Sequence, residues 1–223
     1  MSHTILTTKD KSHTVYSEHF DAHYHSLFGA IEESVHVFIS AGLYHKRKST
    51  RSPLRIFEMG LGTGLNVLLT YLEAKDLNLS IVYHAIESHP LSNSQAAELN
   101  FPKSLNRPHL QAVLSTIHNS TWNSEVSLSD SFSLLKSKAN IHNFEEWQEY
   151  DLIYYDAFAP SCQHELWEEE IHSKLYNHLS VGGCLVTYCS QGAFRRTLSS
   201  LGYKVERLNG PAKKREMIRA TKI

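Results

Sequence analysis

Three cysteines, Cys162, Cys184 and Cys189, are all the chain carries in 223 residues. Their odd number and irregular spacing exclude a disulfide framework and a paired-cysteine metal site. They read as reduced thiols of a cytoplasmic protein. No apolar run exceeds strand length, so no membrane-spanning helix is expected. The stretch from Met1 to Lys11 is polar and lacks an apolar signal core, which argues against secretion. Net charge is also scarce: 22 Lys and Arg against 23 Asp and Glu leave −1. Overall charge therefore does not advertise a nucleic-acid binder. Fifteen histidines include the close group His19, His23 and His25, but no carboxylate or cysteine completes a ligand set, so no metal is expected. A hydrophobic content of 41% and a charged content of 20% remain, those of a soluble globular chain with one sizeable core.

What is present is sharply local. The segment Ile56-Phe57-Glu58-Met59-Gly60-Leu61-Gly62-Thr63-Gly64-Leu65-Asn66 reads as strand, tight turn and helix start. Glycines at alternate positions let backbone approach a ligand where a Cβ would clash. The spacing is G-x-G-x-G and not the dinucleotide pattern G-x-G-x-x-G. Glu58, just before the first glycine, would repel a pyrophosphate. It suits a ligand with a cationic amino-acid end and an adenosine, which describes S-adenosyl-L-methionine.

Charge is unevenly spread. Basic clusters occur at His45-Lys46-Arg47-Lys48 with Arg51, at Arg195-Arg196, and at Lys213-Lys214-Arg215. Residues 1–25 are polar, with Tyr16, Phe20 and Tyr24 as anchors. Gly29 to Leu43 has helical periodicity. From Leu54 strands and helices alternate: strand 55–59, helix 65–75, strand 81–86, helix 91–99. The region 103–125 is irregular, with a helix at 110–117. A short strand at 126–128 ends near Asp130. Residues 132–138 are predicted helical and 140–150 a surface insertion. A strong strand, 151–155, ends at Asp156. Helix 166–179, strand 184–188, helix 193–201 and strands 203–208 and 216–220 complete the chain. Such alternation implies an α/β fold with a mostly parallel sheet and helices on both faces. The final short-loop strand pair implies one antiparallel strand at the C-terminus.

Ligands in such sheets sit beyond the carboxyl ends of the strands. Glu58, Glu87, Asp130 and Asp156 are predicted there. Glu87 lies where an acidic residue accepts hydrogen bonds from ribose hydroxyls, and Asp130 where an adenine amino group would be met. Asp156 enters an aromatic, proline-stiffened loop, Ala157-Phe158-Ala159-Pro160. A carboxylate there orients an amine lone pair and stabilises the charge that develops on nitrogen. Phe158 or Tyr155 offers a face to a base or a cation.

Together these residues resemble the methyltransferase domain of the MnmC family, bifunctional bacterial enzymes that complete 5-methylaminomethyl-2-thiouridine at the tRNA wobble position. The resemblance rests on Gly60 to Asn66, Asp156 to Pro160 with Trp167, Gly182-Gly183, Arg195-Arg196, Gly202-Tyr203, and Lys214-Arg215-Glu216-Met217. Phe20-Asp21, Tyr24, Gly29-Ala30 and Glu32-Glu33-Ser34 carry it into the N-terminus. It implies a class I Rossmann-like methyltransferase with a seven-stranded sheet, acting with S-adenosyl-L-methionine on the primary amine of 5-aminomethyl(-2-thio)uridine in tRNA. Glu58, Gly60, Gly62, Gly64, Asn66, Glu87, Asp130 and Asp156 would hold the cofactor. Asp156 and Phe158 would serve catalysis. Tyr24, Glu32 and Phe158 would line the acceptor pocket, and Arg195, Arg196, Lys213, Lys214 and Arg215 would meet phosphates.

Residues 1–53 are expected as an extension over the cleft and 54–223 as the methyltransferase domain. The family's flavin-dependent oxidase domain is not in this sequence, so a separate enzyme would supply the aminomethyl precursor. Ala157 replaces a glycine common in the family, and residues 101–150 match least. Three other readings stay open: a methyltransferase for a small amine or another nucleoside, a non-catalytic adenosine-ligand or tRNA-binding protein, and, with the wrong glycine spacing against it, an NAD-dependent oxidoreductase.

Overall fold

The computed structural model describes residues 3–47, 52–212 and 214–223. The N-terminal residues form more than anchored polar chain. β1 (His3–Thr7), β2 (His13–Ser17) and β3 (Ala22–His23) pair as a small antiparallel sheet. The helix expected from Gly29 begins as α1 (Ala30–Ser34), widens into a π-helical stretch over Val35–Leu43 and closes as α2 (Tyr44–Lys46). Val37, Phe38, Ile39 and Leu43 are buried along it. Gly42 permits its close approach to the main sheet: a Cβ there would lie 3.0 Å from Val186 Cγ2 and 3.1 Å from Tyr154 Cε1.

The alternating units follow. They are β4 (Leu54–Met59), α3 (Leu65–Asp76), β5 (Ile81–Glu87), α4 (Asn93–Ala97), α5 (Phe101–Ser104) and α6 (Leu110–Asn119). Then come β6 (Glu125–Ser129), β7 (Phe132–Lys138), β8 (Tyr150–Tyr155), α7 (Glu169–His178), β9 (Leu179–Thr187), α8 (Gly192–Ser200), β10 (Tyr203–Asn209) and β11 (Glu216–Lys222). The main sheet has the order β10-β11-β9-β8-β4-β5-β7-β6. β4, β5, β7, β8 and β9 are mutually parallel, and β11 runs antiparallel between β9 and β10. The class of fold is the expected one. The sheet has eight strands where seven were expected, because residues 132–138 add strand β7 between β5 and the edge strand β6.

The helix predicted at 132–138 is strand β7. Its side chains alternate across the sheet, with Phe132, Leu134 and Lys136 buried on one face. Lys136 hides that alternation in the sequence. Its Nζ donates to His118 O at 2.9 Å and lies 4.5 Å from the Trp122 ring centroid, so a cation fills an inward position. The 140–150 stretch, expected as a surface insertion, exposes Glu145, Glu146, Gln148 and Glu149 but is anchored by apolar residues. Phe144 is buried, and the Trp147 ring lies 5.3 Å from that of Phe57, tilted by 37°.

Period-two alternation divides the core between the two sheet faces. Ile56 and Tyr154 pack with α3, α6 and the π-helical segment; Phe57 and Tyr155 pack with α7 and α8. With both faces covered, the central strands are buried throughout, and the polar chemistry is left at their carboxyl ends.

Candidate active site

The turn after β4 shows why its glycines are needed. Gly60 has φ +89°, and a Cβ there would sit 3.0 Å from Asp156 O. Gly62 has φ +51°, and its Cβ would meet Tyr24 Cδ1 at 2.9 Å. Both combine a left-handed backbone with a close approach, which excludes a side chain twice over. Gly64, φ +70°, caps α3 and faces Ile117 and His118, away from the cleft. Gly60 N and Leu61 N both donate to Ile86 O at 3.1 Å, tying the turn to β5. Glu87, at the end of β5, accepts from Gly62 N at 2.9 Å and from His89 N at 2.8 Å. A carboxylate has about four acceptor positions, so capacity for hydroxyl donors remains.

Behind the turn lies a carboxylate pair joined by one amide. Asn66 Nδ2 donates to Glu58 Oε1 at 2.9 Å and to Asp156 Oδ2 at 2.8 Å. Glu58 is fully buried and does not line the cleft; it supports Asn66 from below. Burial pushes its carboxyl well above the ordinary range, against the opposing Asn66 bond. Asp156 follows β8, with its N donating to Met59 O at 3.1 Å. Burial pushes its carboxyl up to about 7; the Asn66 bond opposes this, the Glu33 carboxylate adds to it, and the Lys214 ammonium draws it down. That value leaves a substantial fraction in each protonation state near neutral pH, as general acid–base and charge-stabilising work requires.

The N-terminal segment closes over this edge. His25 Nε2 and the Thr63 hydroxyl lie 2.7 Å apart, and His118 Nε2 lies 3.0 Å from Thr63 O, so two histidines grip the glycine turn. Burial pulls both histidines down to about 4, which keeps them neutral. Phe158 meets Phe20 and Tyr24 at ring-centroid distances of 5.0 Å each. Trp167 Nε1 holds the loop by donating to Phe158 O at 2.8 Å.

The structure gathers Tyr24, Gly60, Gly62, Asn66, Glu87, Asp156 and Phe158 around one cavity of about 600 Å³. Other expected residues lie elsewhere. Asp130 sits in the β6–β7 hairpin, beside Ser131, whose O accepts from Ile81 N at the start of β5. That is the amino end of the parallel strands, so Asp130 meets no ligand at their carboxyl ends. The misread strand is the cause: β7 runs away from Asp130, and Ala139 and Asn140 arrive at the cleft instead. Glu32 is exposed and outside the cleft, while its neighbour Glu33 is buried and lines it. One helical residue turns the chain by about 100°, a distinction the Glu32-Glu33 pair does not reveal in sequence.

Arg195 and Arg196 lie on α8 outside the cavity, the first half-buried and the second exposed. Lys214 is in the cleft, bonded to Glu33, and Arg215 is exposed at its rim with Ser190 and Tyr188. Lys213 lies outside the described residues. Sequence reading missed Glu33, Asn140 and Tyr188; for Tyr188, its place at the end of a predicted strand was the available signal.

The residues present fit S-adenosyl-L-methionine. Gly60 and Gly62 put bare backbone on the cavity wall as a cradle, Glu87 retains acceptor capacity beside it, and the cavity is of ligand size. A family of S-adenosyl-L-methionine-dependent methyltransferases matches residues 106–223. The chain is 30% identical over 224 residues to the tRNA 5-methylaminomethyl-2-thiouridine biosynthesis bifunctional protein MnmC of Leptospira interrogans, covering 96% of this chain and 34% of that protein. It is 29% identical to the protein of the same name from Leptospira borgpetersenii, covering 92% of this chain and 33% of the other. The chain thus spans about a third of the length of these relatives. The crystal structure of MNMC2 from Aquifex aeolicus shares the fold, with a TM-score of 0.78 at 24% identity, over 99% of this chain and 70% of that one. Among the described residues no helix is long and apolar enough to cross a membrane. With the glycine cradle, the cleft and the matching family in agreement, this chain belongs to the S-adenosyl-L-methionine-dependent methyltransferases.

Proposed function

We propose that the protein N-methylates 5-aminomethyl(-2-thio)uridine at the tRNA wobble position, giving 5-methylaminomethyl(-2-thio)uridine. One observation carries the reading: Asp156, with its carboxyl at about 7, stands between the glycine turn and the aromatic wall of the same cleft. The names of the Leptospira relatives supply the substrate class. The bound cofactor supplies an electrophilic methyl group on a sulfonium. Asp156, as carboxylate, accepts an N–H of the amine and aims its lone pair. Asp156 would take one proton from the acceptor's ammonium and leave the nitrogen lone pair free to receive that methyl. Asn66 fixes that carboxylate and Glu58 fixes Asn66. Phe158, Phe20 and Tyr24 hold the uridine ring by stacking and edge contacts.

Glu87 takes the ribose hydroxyls, and the exposed Arg196 and Arg215, with Arg195 and Lys213, favour a polyanionic acceptor. Residues 1–53 act as an extension over the cleft of a methyltransferase domain formed by 54–223. A cytoplasmic setting follows from tRNA as partner. The aminomethyl precursor comes from a different reaction, which we assign to a separate enzyme.

The test is transfer of labelled methyl groups to tRNA from cells lacking this activity, followed by nucleoside mass analysis. A gain of one methyl on the aminomethyl nucleoside is expected. Transfer to free amines but not to tRNA would replace the proposal with a small-molecule methyltransferase.

A further inference from the structure

Lys214 lies in the turn between β10 and β11, yet its ammonium reaches back into the cleft. Its Nζ is 2.7 Å from Glu33 Oε1 and 3.9 Å from the centroid of the Tyr188 ring. Both partners are firmly held. Glu33 accepts from Ser26 N through its other oxygen at 2.9 Å, and its side chain is only 10% exposed. The Tyr188 hydroxyl donates at 2.8 Å to the carbonyl of Ala157, the neighbour of Asp156. Lys214 itself is 41% exposed and stands on a turn. A fixed carboxylate facing a fixed aromatic ring is a receptor for an ammonium group. Each half of that receptor holds a further hydrogen bond of its own, whereas its present occupant reaches it from an exposed turn. All four residues, Glu33, Tyr188, Lys214 and Asp156, line the same cavity.

The buried partner requires compensation. A carboxylate enclosed to this degree is costly unless a cation stays beside it. Lys214 meets that need without an acceptor, and an acceptor ammonium meets it equally well. A neutral hydroxyl does not.

We propose that Glu33 and the face of Tyr188 form the subsite for the acceptor's ammonium group, and that Lys214 fills it until an acceptor displaces it. The inference rests on the amine-acceptor reading above and narrows it. Glu33 becomes the residue that selects aminomethyl over hydroxymethyl acceptors, and Lys214 a displaceable stand-in for the substrate. The aromatic wall binds the ring of either acceptor alike.

The test needs neither RNA nor methyl transfer. The full chain, saturated with S-adenosylhomocysteine, is titrated with 5-aminomethyluridine and with 5-hydroxymethyluridine at neutral pH. The unsubstituted protein should prefer the aminomethyl nucleoside about tenfold or more, the scale of one charge-assisted contact. Glu33→Gln should abolish that preference and leave hydroxymethyl binding unchanged. Lys214→Met, and Lys214→Gln as a second variant, should tighten aminomethyl binding about threefold or more by removing the competitor.

An ordinary structural ion pair would behave differently, because both substitutions would then weaken both nucleosides alike. That result overturns the proposal, as does an unchanged preference in Glu33→Gln or a failure of 5-aminomethyluridine to bind. Loss of the tRNA reading alone leaves these binding ratios standing. Methylated tRNA with an unchanged ratio in Glu33→Gln rejects the subsite alone.

Discussion

The amide of Asn66 and the carboxylate of Asp156 meet at 2.8 Å, although 90 residues separate them in the chain. The same amide nitrogen holds Glu58 at 2.9 Å, so the residue that enters α3 also sets the carboxylate that leaves β8. This link joins the cofactor turn to the reacting group, and its removal has separable effects on rate and on pH dependence.

Asn66→Leu removes the one hydrogen bond that favours the charged form of Asp156. The acid limb of the pH–rate profile should move above its starting position near 7. Turnover at pH 7 should fall about tenfold, because less carboxylate is present. Stability should drop by about 1–3 kcal/mol as buried acceptors lose their donor. An acid limb that stays in place would remove Asn66 from the proton chemistry.

Asp156→Asn tests the carboxylate itself. Turnover should fall about 100-fold or more, with affinity for S-adenosylhomocysteine nearly intact. Stability should move the other way. The folded carboxyl sits at about 7 against 3.8 ordinarily, so the native state holds the proton more tightly. Wild-type stability from this group is therefore present below about pH 4 and lost as pH rises through about 7. The variant should melt higher than wild type at pH 8 and show little gain at pH 4. Equal melting differences at both pH values would contradict the raised carboxyl.

Glu87→Ala should weaken cofactor binding by about 1.5–3 kcal/mol, since a charged acceptor to the ribose is lost. It also frees Gly62 N and His89 N, which the carboxylate now holds. Calorimetry with S-adenosylhomocysteine measures this, and adenosine should lose a similar amount. Unaltered affinity would take the ribose role from Glu87.

His172 is fully buried among Tyr155, Trp167 and Phe194, and neither ring nitrogen has a hydrogen-bond partner among the described residues. Burial pulls it down to about 3. The unfolded chain takes up this proton near pH 6.5 while the native state does not. Its contribution is present above about pH 6.5 and lost as pH falls toward 3. His172→Phe should therefore gain more stability, relative to wild type, at pH 5 than at pH 7. Comparing the two proteins isolates this residue from Glu58 and Asp156, whose raised carboxyls act in the opposite sense. A pH-independent difference in denaturant midpoint would show that His172 titrates normally.

Local pattern alone determined the glycine turn, the order of β4, α3, β5 and β8, the antiparallel C-terminal strand, and the positions of Glu87, Asp156 and Phe158. Each follows from short-range rules: left-handed glycines, periodicity, and acidic residues ending apolar runs. Tertiary structure decided the rest. Strand β7 was hidden because Lys136, an inward residue, is compensated by Trp122 and by the carbonyl of His118. That compensation comes from another element, so no window of sequence contains it, and Asp130 was misplaced as a result. Glu33 displaced Glu32 because the helix's rotation toward the cleft is set by the packing of α1 on α3 and of the π-helical segment that continues it on β8 and β9. Lys214 left the expected phosphate surface because Glu33, 181 residues away, provides a buried negative charge for it. Burial and charge pairing between distant segments are properties of the folded chain, and they chose which of the legible residues share one cleft.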